Sequence, residues 1–449
     1  MANTVVGAAR RFLGRGHERI PRIAFLSPLP PAKTGIASYS QAVLEGLQRI
    51  GFTERHEIEP IWPLRPKHEG TLPWYTMSVY HLGNNVEFHR DIYRHAIRTP
   101  GLVVVHDLAL DDFVRGMISV GDPLGHQAAR EALANADRVH DEGVLVDDPL
   151  RVPWVAHVAR RARGIVVHSP FGARYLRAFG CKTPIYVAPH PVVETDEDVR
   201  RAEQRRAVLR GPLEAQGMRT LVGIFGDLNA AKLIDIVLAS VAGLAESVHV
   251  VLVGRRIEGY DVDGVVRSSG LGGRVTLLPD VSDQDFLGWL CAADVAVDLR
   301  YPHRGEVSGS LARAMQCGRP TVVSATGTYL DIPDGLVARA PAGRPEPAEL
   351  AAVLGCLVDD AEVRGNIGER ARAHMAELAK GDGSARAYAE AIEGTLALVT
   401  DPARRALARW SGALVDIGVT EEHLARGYGA SYARSLEGFA PRPGAGEGG

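Results

Sequence analysis

The sequence lacks the marks of several protein classes. No apolar run approaches the roughly 18 residues of a membrane-spanning helix. The arginine-rich opening, MANTVVGAARRFLGRGHERIPR, has no adequate apolar stretch for a signal peptide. Its arginines suit weak contact with an anionic membrane surface, although a frayed, solvated terminus is the favoured reading. Charge of one sign is missing too. Against 54 Asp and Glu stand 51 Lys and Arg, a net charge of −3 that argues against a nucleic-acid partner. The four cysteines, Cys181, Cys291, Cys317 and Cys356, form no CxxC pair or other metal-ligand spacing. Free, mostly buried thiols in a reducing, cytoplasmic setting are expected. The G-x-G-x-x-G fingerprint is absent after the first apolar run, which removes the best support for hydride transfer. No D-x-D stands in a plausible loop to suggest a metal, and no cofactor is called for by these runs. The carboxylates of DVAVD (294–298) alternate within a strand and are structural candidates.

What is present is a long alternation. The 449 residues are 46% hydrophobic, ordinary for a globular chain of two or three domains. Short apolar runs at 22–29, 79–82, 102–105, 164–167 and 185–188 predict buried strands, with helical spacing at 41–50 and 171–179. Residues 194–217 are charged and strand-free, and predict a linker helix at a domain boundary. The pattern restarts with strands at 220–225, 249–253, 275–278, 295–299 and 321–324, and helices at 234–244, 283–292 and 311–316. From 348 onward the chain reads as helical. The predicted fold class is α/β: two Rossmann-like, doubly wound parallel-sheet domains facing an interdomain cleft, with a C-terminal helical extension. The expected boundaries are a terminal segment 1–21, domains 22–200 and 201–382, helices 383–440 crossing back to the first domain, and a disordered tail 441–449. The helices within 403–439 suit packing on the first domain or a homodimer contact, packing being favoured.

Three loops after strands could handle phosphate or sugar. The first, PLPPAKTGIASYS (28–40), has Gly35 and a following helix whose free N–H groups favour an anion; an ordinary tight turn is the competing reading. The second, VVVHD (103–107), carries His106 past a strand end, aimed at the cleft and able to bond a sugar hydroxyl. Asp107, with Asp111 and Asp112, forms no coherent metal set, and a helix-start role is the safer assignment. The third, LRYPHRGEVSGSLARAMQCGRPTVVS (299–324), runs from a strand through Glu306 and the small residues Ser308, Gly309 and Ser310 into a helix. Such a helix start can bind a diphosphate, and a carboxylate such as Glu306 can hold neighbouring hydroxyls.

With these loops in hand, the chain resembles a retaining glycosyltransferase of family 4, the group with the two-domain GT-B fold. The resemblance covers about 22–396 and rests on PLPPAKTGIASYS, VVVHDLALDDF, VVHSPFGARYLRAFG, VAPHPV, FGDLNAAKLID, VVLVG and GEVSGSLARAMQCGRPTVVS in the family's order. It implies a metal-independent sugar transfer from a nucleoside-diphosphate sugar to a glycan, lipid-linked sugar or small natural product. It also implies roles. His106, Lys232 and Glu306 would be catalytic, with Lys232 neutralising the diphosphate and Glu306 holding the donor sugar. Gly35, Gly226, Asp227, Pro279, Val281, Arg300 and the Val307, Ser308, Gly309, Ser310 run would meet the donor. Thr34, Ile36 and Asp107 would meet the acceptor. Lys232→Ala is expected to abolish transfer with the fold intact.

Two departures stand out. Asp227 occupies the place of a family arginine, so a second cation must come from elsewhere, Arg300 or Arg304 being candidates. Arg313 replaces the second glutamate of the E-x7-E signature and lies one position short of the family's spacing. A family subgroup with an RYPxxGExS-like stretch is the better match. The competing functions are a GT-B-fold nucleotide-sugar epimerase and a non-catalytic sugar-nucleotide binder.

Overall fold

In the computed structural model, residues 20–401 are described, apart from 66, 67, 69, 70 and 137. The helices expected within 403–439 and the tail at 441–449 lie outside them, as does most of the segment 1–21.

The apolar runs form two six-stranded sheets in which every pairing is parallel. The first contains β1 (Arg22–Leu26), β2 (Glu57–Ile61), β3 (Met77–Leu82), β4 (Leu102–Val105), β5 (Gly164–Val167) and β6 (Ile185–Val187), in the order β2-β1-β3-β4-β5-β6. The second contains β7 (Thr220–Phe225), β8 (Val248–Gly254), β9 (Val275–Pro279), β10 (Val295–Asp298), β11 (Thr321–Ser324) and β12 (Ala338–Ala340), in the order β12-β11-β10-β7-β8-β9. Central strands such as MSVYHL and VHVVLVG are buried along their whole length because helices cover both faces. The expected pair of doubly wound parallel sheets is present.

Two strands had no apolar signature. β2 (EIEPI) and β12 (ARA) each lie at one edge of their sheet. An edge strand needs little apolar content, and Pro60 is tolerated there. The charged segment read as a linker is the Asp196–Glu214 helix, opened by a capping box between Thr195 and Asp198. It is not a free connector. Val199 and Ala202 enter the apolar cluster of Leu287 and Leu290, and Arg206 and Arg210 reach Asp294 at 2.8 and 2.7 Å.

The described residues up to Ile392 form one compact unit, which holds both sheets. At its C-terminal end the Gly383–Thr400 helix returns to the first sheet: Ala385 lies against Gly46, and Tyr388 bonds His81. The second unit begins at Glu393. Among the described residues no helix is long and apolar enough to cross a membrane. Cys181, Cys291 and Cys317 are buried free thiols, and Cys356 is exposed.

Candidate active site

The strand ends of the two sheets open onto one cavity of about 1110 Å³. Thr34, Gly35, Ile36, His106 and Asp107 line it from the first half. Gly226, Asp227, Lys232, Val281, Arg300, Glu306, Val307, Ser308, Gly309 and Ser310 line it from the second. Pro279 does not line it; it ends β9 paired with Gly254, and Asp280 and Val281 reach the cavity instead.

Two helix starts open onto this space. The Gly35–Arg49 helix is capped by Thr34, whose hydroxyl accepts from Ile36 N at 3.4 Å. A Cβ at Gly35 would meet no atom within 4 Å, so the first turn is open to a ligand. The Gly309–Gln316 helix is capped by Ser308, which accepts from Leu311 N at 3.2 Å. The backbone N–H groups at these starts are anion donors.

Beside the second start lies a buried ionic cluster. Lys232 Nζ donates to Asp298 Oδ1 at 3.1 Å, Arg300 Nη1 to the same oxygen at 2.9 Å, and Tyr329 Oη to Asp298 Oδ2 at 2.9 Å. Burial works against the Asp298 carboxylate, but the Arg300 and Lys232 charges hold it well below the usual carboxylate range. Burial, then the Arg300 charge, lowers Lys232 to about 8. Glu306 Oε1 lies 3.2 Å from Arg300 Nε, and its Oε2 accepts from Arg304 N at 2.8 Å. Burial opposes ionisation of Glu306 as well, yet His303, Arg300 and the Arg304 amide keep it below its ordinary value.

Several expectations need correction. Lys232 is only 2% exposed, so its side chain is part of the interior, and truncation to alanine would remove packing and a buried ion pair as well as phosphate charge. Arg304 does not line the cavity; its guanidinium is engaged with Asp111 and Asp112 at 3.1 and 3.2 Å. Asp107 caps no helix. The nearest helix, Asp111–Ser119, has Leu110 at its N-cap, while the Asp107 carboxylate accepts from Asn84 N at 2.8 Å. Burial, reinforced by the Glu306 charge, raises Asp107 to about 7. Asp298, read as structural, is buried behind the cavity wall, where it holds Lys232 and Arg300.

Sequence reasoning missed Arg255. It follows β8, whose register sets Val253 beside Phe225, and so brings Arg255 next to Asp227. The pair is bidentate, Nε to Oδ1 at 2.9 Å and Nη2 to Oδ2 at 2.8 Å. The same guanidinium donates to the Lys33 carbonyl of the first half. The glycine before it, Gly254 (φ +148°), allows this approach, since a Cβ there would lie 1.8 Å from Gly226 O. Arg313 is likewise paired, with Glu194 Oε1 at 2.8 Å. The signal for both was charge complementarity, invisible until the register was known.

One part of the wall is aromatic and neutral. His106, His168, His190 and Tyr39 line the cavity, with ring centroids 4.7–5.2 Å from Tyr39. Burial lowers His168 to about 4 and holds His106 well below the ordinary imidazole range. Among the described residues, no group of three or more His, Cys, Asp or Glu converges as metal ligands.

The fold has structural counterparts. HepE from Anabaena, solved with UDP and glucose, superposes with a TM-score of 0.58 at 16% identity, covering 83% of this chain and 100% of that one. Sucrose-phosphate synthase from Thermosynechococcus elongatus gives 0.60 at 18%, covering 84% and 99%. WaaG, a glycosyltransferase involved in lipopolysaccharide biosynthesis, gives 0.52 at 13%, covering 84% and 99%. The fold is GT-B. Within this GT-B chain, residues 219–360, most of the second sheet's half, match the family described as glycosyl transferases group 1. No curated protein sequence matches the chain.

Proposed function

We propose that this GT-B chain is a retaining glycosyltransferase of family 4 type, moving a sugar from a nucleoside-diphosphate donor to a hydroxyl or amine acceptor. The observation that carries the reading is the convergence of Lys232, the Ser308 helix start, Glu306 and His106 on one cavity. The similarity of residues 219–360 to group 1 glycosyl transferases supports it. HepE is also solved with UDP-glucose, which makes uridine sugars the first donors to test.

In this reading the diphosphate rests on the backbone N–H groups from Val307 to Ser310, with Lys232 opposite its developing charge. Arg255 supplies the second cation that Asp227 cannot. Glu306 holds sugar hydroxyls and His106 bonds the transferred sugar. The acceptor oxygen attacks C1 from the face the diphosphate leaves. The C1–O bond to phosphate breaks, the acceptor O–C1 bond forms, and the acceptor's proton passes to the departing phosphate oxygen. The reaction as proposed uses no metal and runs in the cytoplasm.

A thermal-shift series with nucleoside-diphosphate sugars, followed by transfer assays that read the product anomer, tests the proposal. A bound donor at about 100 times its Kd should stabilise the protein by roughly 2.7 kcal/mol. An inverted anomer would remove the retaining assignment. The epimerase reading is favoured by one feature, the proton-holding Asp107 beside Glu306. Incubating labelled donor without acceptor separates the two, because an epimerised sugar nucleotide would displace transfer as the conclusion.

A further inference from the structure

His106 is not alone. Its Nε2 lies 3.1 Å from Nδ1 of His81, and Nε2 of His81 lies 2.7 Å from the Tyr388 hydroxyl. His81 sits in β3 and Tyr388 on the Gly383–Thr400 helix, both 0% exposed. The three groups form a line of hydrogen bonds from a helix that is remote in sequence to the cavity wall.

The direction of the line follows from counting donors. Tyr388 has one hydroxyl hydrogen and no second hydrogen bond among the described residues. If it accepted from His81 Nε2–H, its own hydrogen would be buried without a partner, a cost of roughly 1–3 kcal/mol. A donating phenol leaves no such orphan. The His81 Nε2 is then an acceptor, its Nδ1 carries the ring hydrogen, and that hydrogen is given to His106 Nε2. Burial holds both rings neutral, so each carries a single N–H. The hydrogen of His106 is therefore on Nδ1. With Nε2 taken up by His81, Nδ1 is the ring nitrogen left for a ligand in the cavity that His106 lines.

We infer that Tyr388 and His81 are positioning residues that lock His106 as a neutral Nδ1–H donor toward the cavity. A donor at that place suits an oxygen lone pair of a sugar hydroxyl or ring, and offers nothing to a group that can only donate. The neighbouring rings are fixed in similar fashion: His168 Nδ1 lies 3.0 Å from the Ala188 carbonyl and His190 Nδ1 2.9 Å from the Pro191 carbonyl. A carbonyl only accepts, so in both rings Nδ1 carries the hydrogen and Nε2 holds the lone pair, that of His168 being buried without a partner among the described residues. His106 is thus the histidine of this wall whose tautomer is set by another side chain, and it is set by the C-terminal helix.

The consequence for turnover rests on the transferase reading above; the tautomer does not. Long-range 1H–15N spectra of the full-length protein labelled with 15N-histidine, with His106→Gln used to assign the resonance, read the tautomer directly. The expected result is a single Nδ1–H form of His106 without any ligand. Tyr388→Phe keeps the ring packing and removes the donor, so the His106 signal is expected to shift to a mixture of tautomers. With the native donor, kcat should fall about tenfold while the donor KM changes less than threefold. An Nε2–H His106 in the unaltered protein would overturn the inference. So would a Tyr388→Phe variant that loses thermal stability yet keeps a pure Nδ1–H form, since that is the signature of packing alone. A lost tautomer preference in a protein that transfers no sugar would uphold the positioning chain and sink the function instead.

Discussion

At the scale of single residues, the cavity depends on charges held out of water. Lys232 near pKa 8 sets a sign: its ammonium is present below that pH and lost above it. The kcat/KM for donor should therefore be level below about pH 8 and fall with rising pH. The limb in kcat should lie higher, because bound diphosphate favours the ammonium. Lys232→Met keeps the side-chain volume and should lower kcat/KM by roughly 100-fold or more, abolishing that limb. Asp298 retains Arg300 and Tyr329 in this variant, so the expected stability loss is about 2 kcal/mol, read by urea unfolding. Asp107 offers a second test. Its carboxyl keeps a proton up to about pH 7 in the folded chain but only to 3.8 as an ordinary carboxyl. The folded state binds more protons across that window, so the protein loses stability as pH rises through it and the loss is complete above pH 7. Asp107→Asn has no such term. The two melting temperatures should be nearly equal at pH 4 and differ by about 2–4 °C in favour of the variant at pH 8.

At the scale of elements, the Asp196–Glu214 helix shows how a charged segment can be structural. Its arginines fix it to the start of β10: Asp294 takes Arg206, Arg210 and the Leu221 amide together. Asp294→Ala should cost about 3 kcal/mol by taking from the Arg210 guanidinium its buried counter-charge and leaving only the more exposed Glu214. Nucleoside-diphosphate affinity measured by calorimetry should stay within twofold, because the helix lies away from the cavity. The sequence alone showed this helix, its charge and its boundary position. It did not show what the charge was for, since ion pairing across some 80 residues leaves no local pattern. The central strands were legible because burial on both faces demands continuous apolar residues. The outer strands β2 and β12 were not, because EIEPI and ARA hold no continuous apolar run; the opposite outer strands, β6 and β9, keep one and were legible.

At the scale of the whole molecule, the halves of the site are brought together by a close backbone approach. Gly305 (φ +77°) faces Leu108, and a Cβ there would lie 2.6 Å from its Cδ1; beside it, Ala109 N donates to the Arg304 carbonyl at 2.9 Å. Gly305→Ala should push the Glu306 loop away from the His106 strand end. The expected outcome is a kcat lowered at least tenfold with nucleoside-diphosphate affinity within threefold, measured by initial rates and calorimetry. Equal loss of both would mean that the variant damages the donor half itself rather than the approach.

The sequence by itself determined the doubly wound architecture, the turns that carry Gly35, His106, Lys232 and Glu306, and the two departures at Asp227 and Arg313. Those features are local: strand burial, helix caps and glycine-bearing loops are written in consecutive residues. Tertiary structure alone decided which partners complete them. Arg255 beside Asp227, Glu194 beside Arg313, and Tyr388 behind His81 and His106 are contacts between distant segments. Only the parallel register and the returning helix bring them within hydrogen-bond reach, because such bonds act over about 3 Å and carry no trace along the chain.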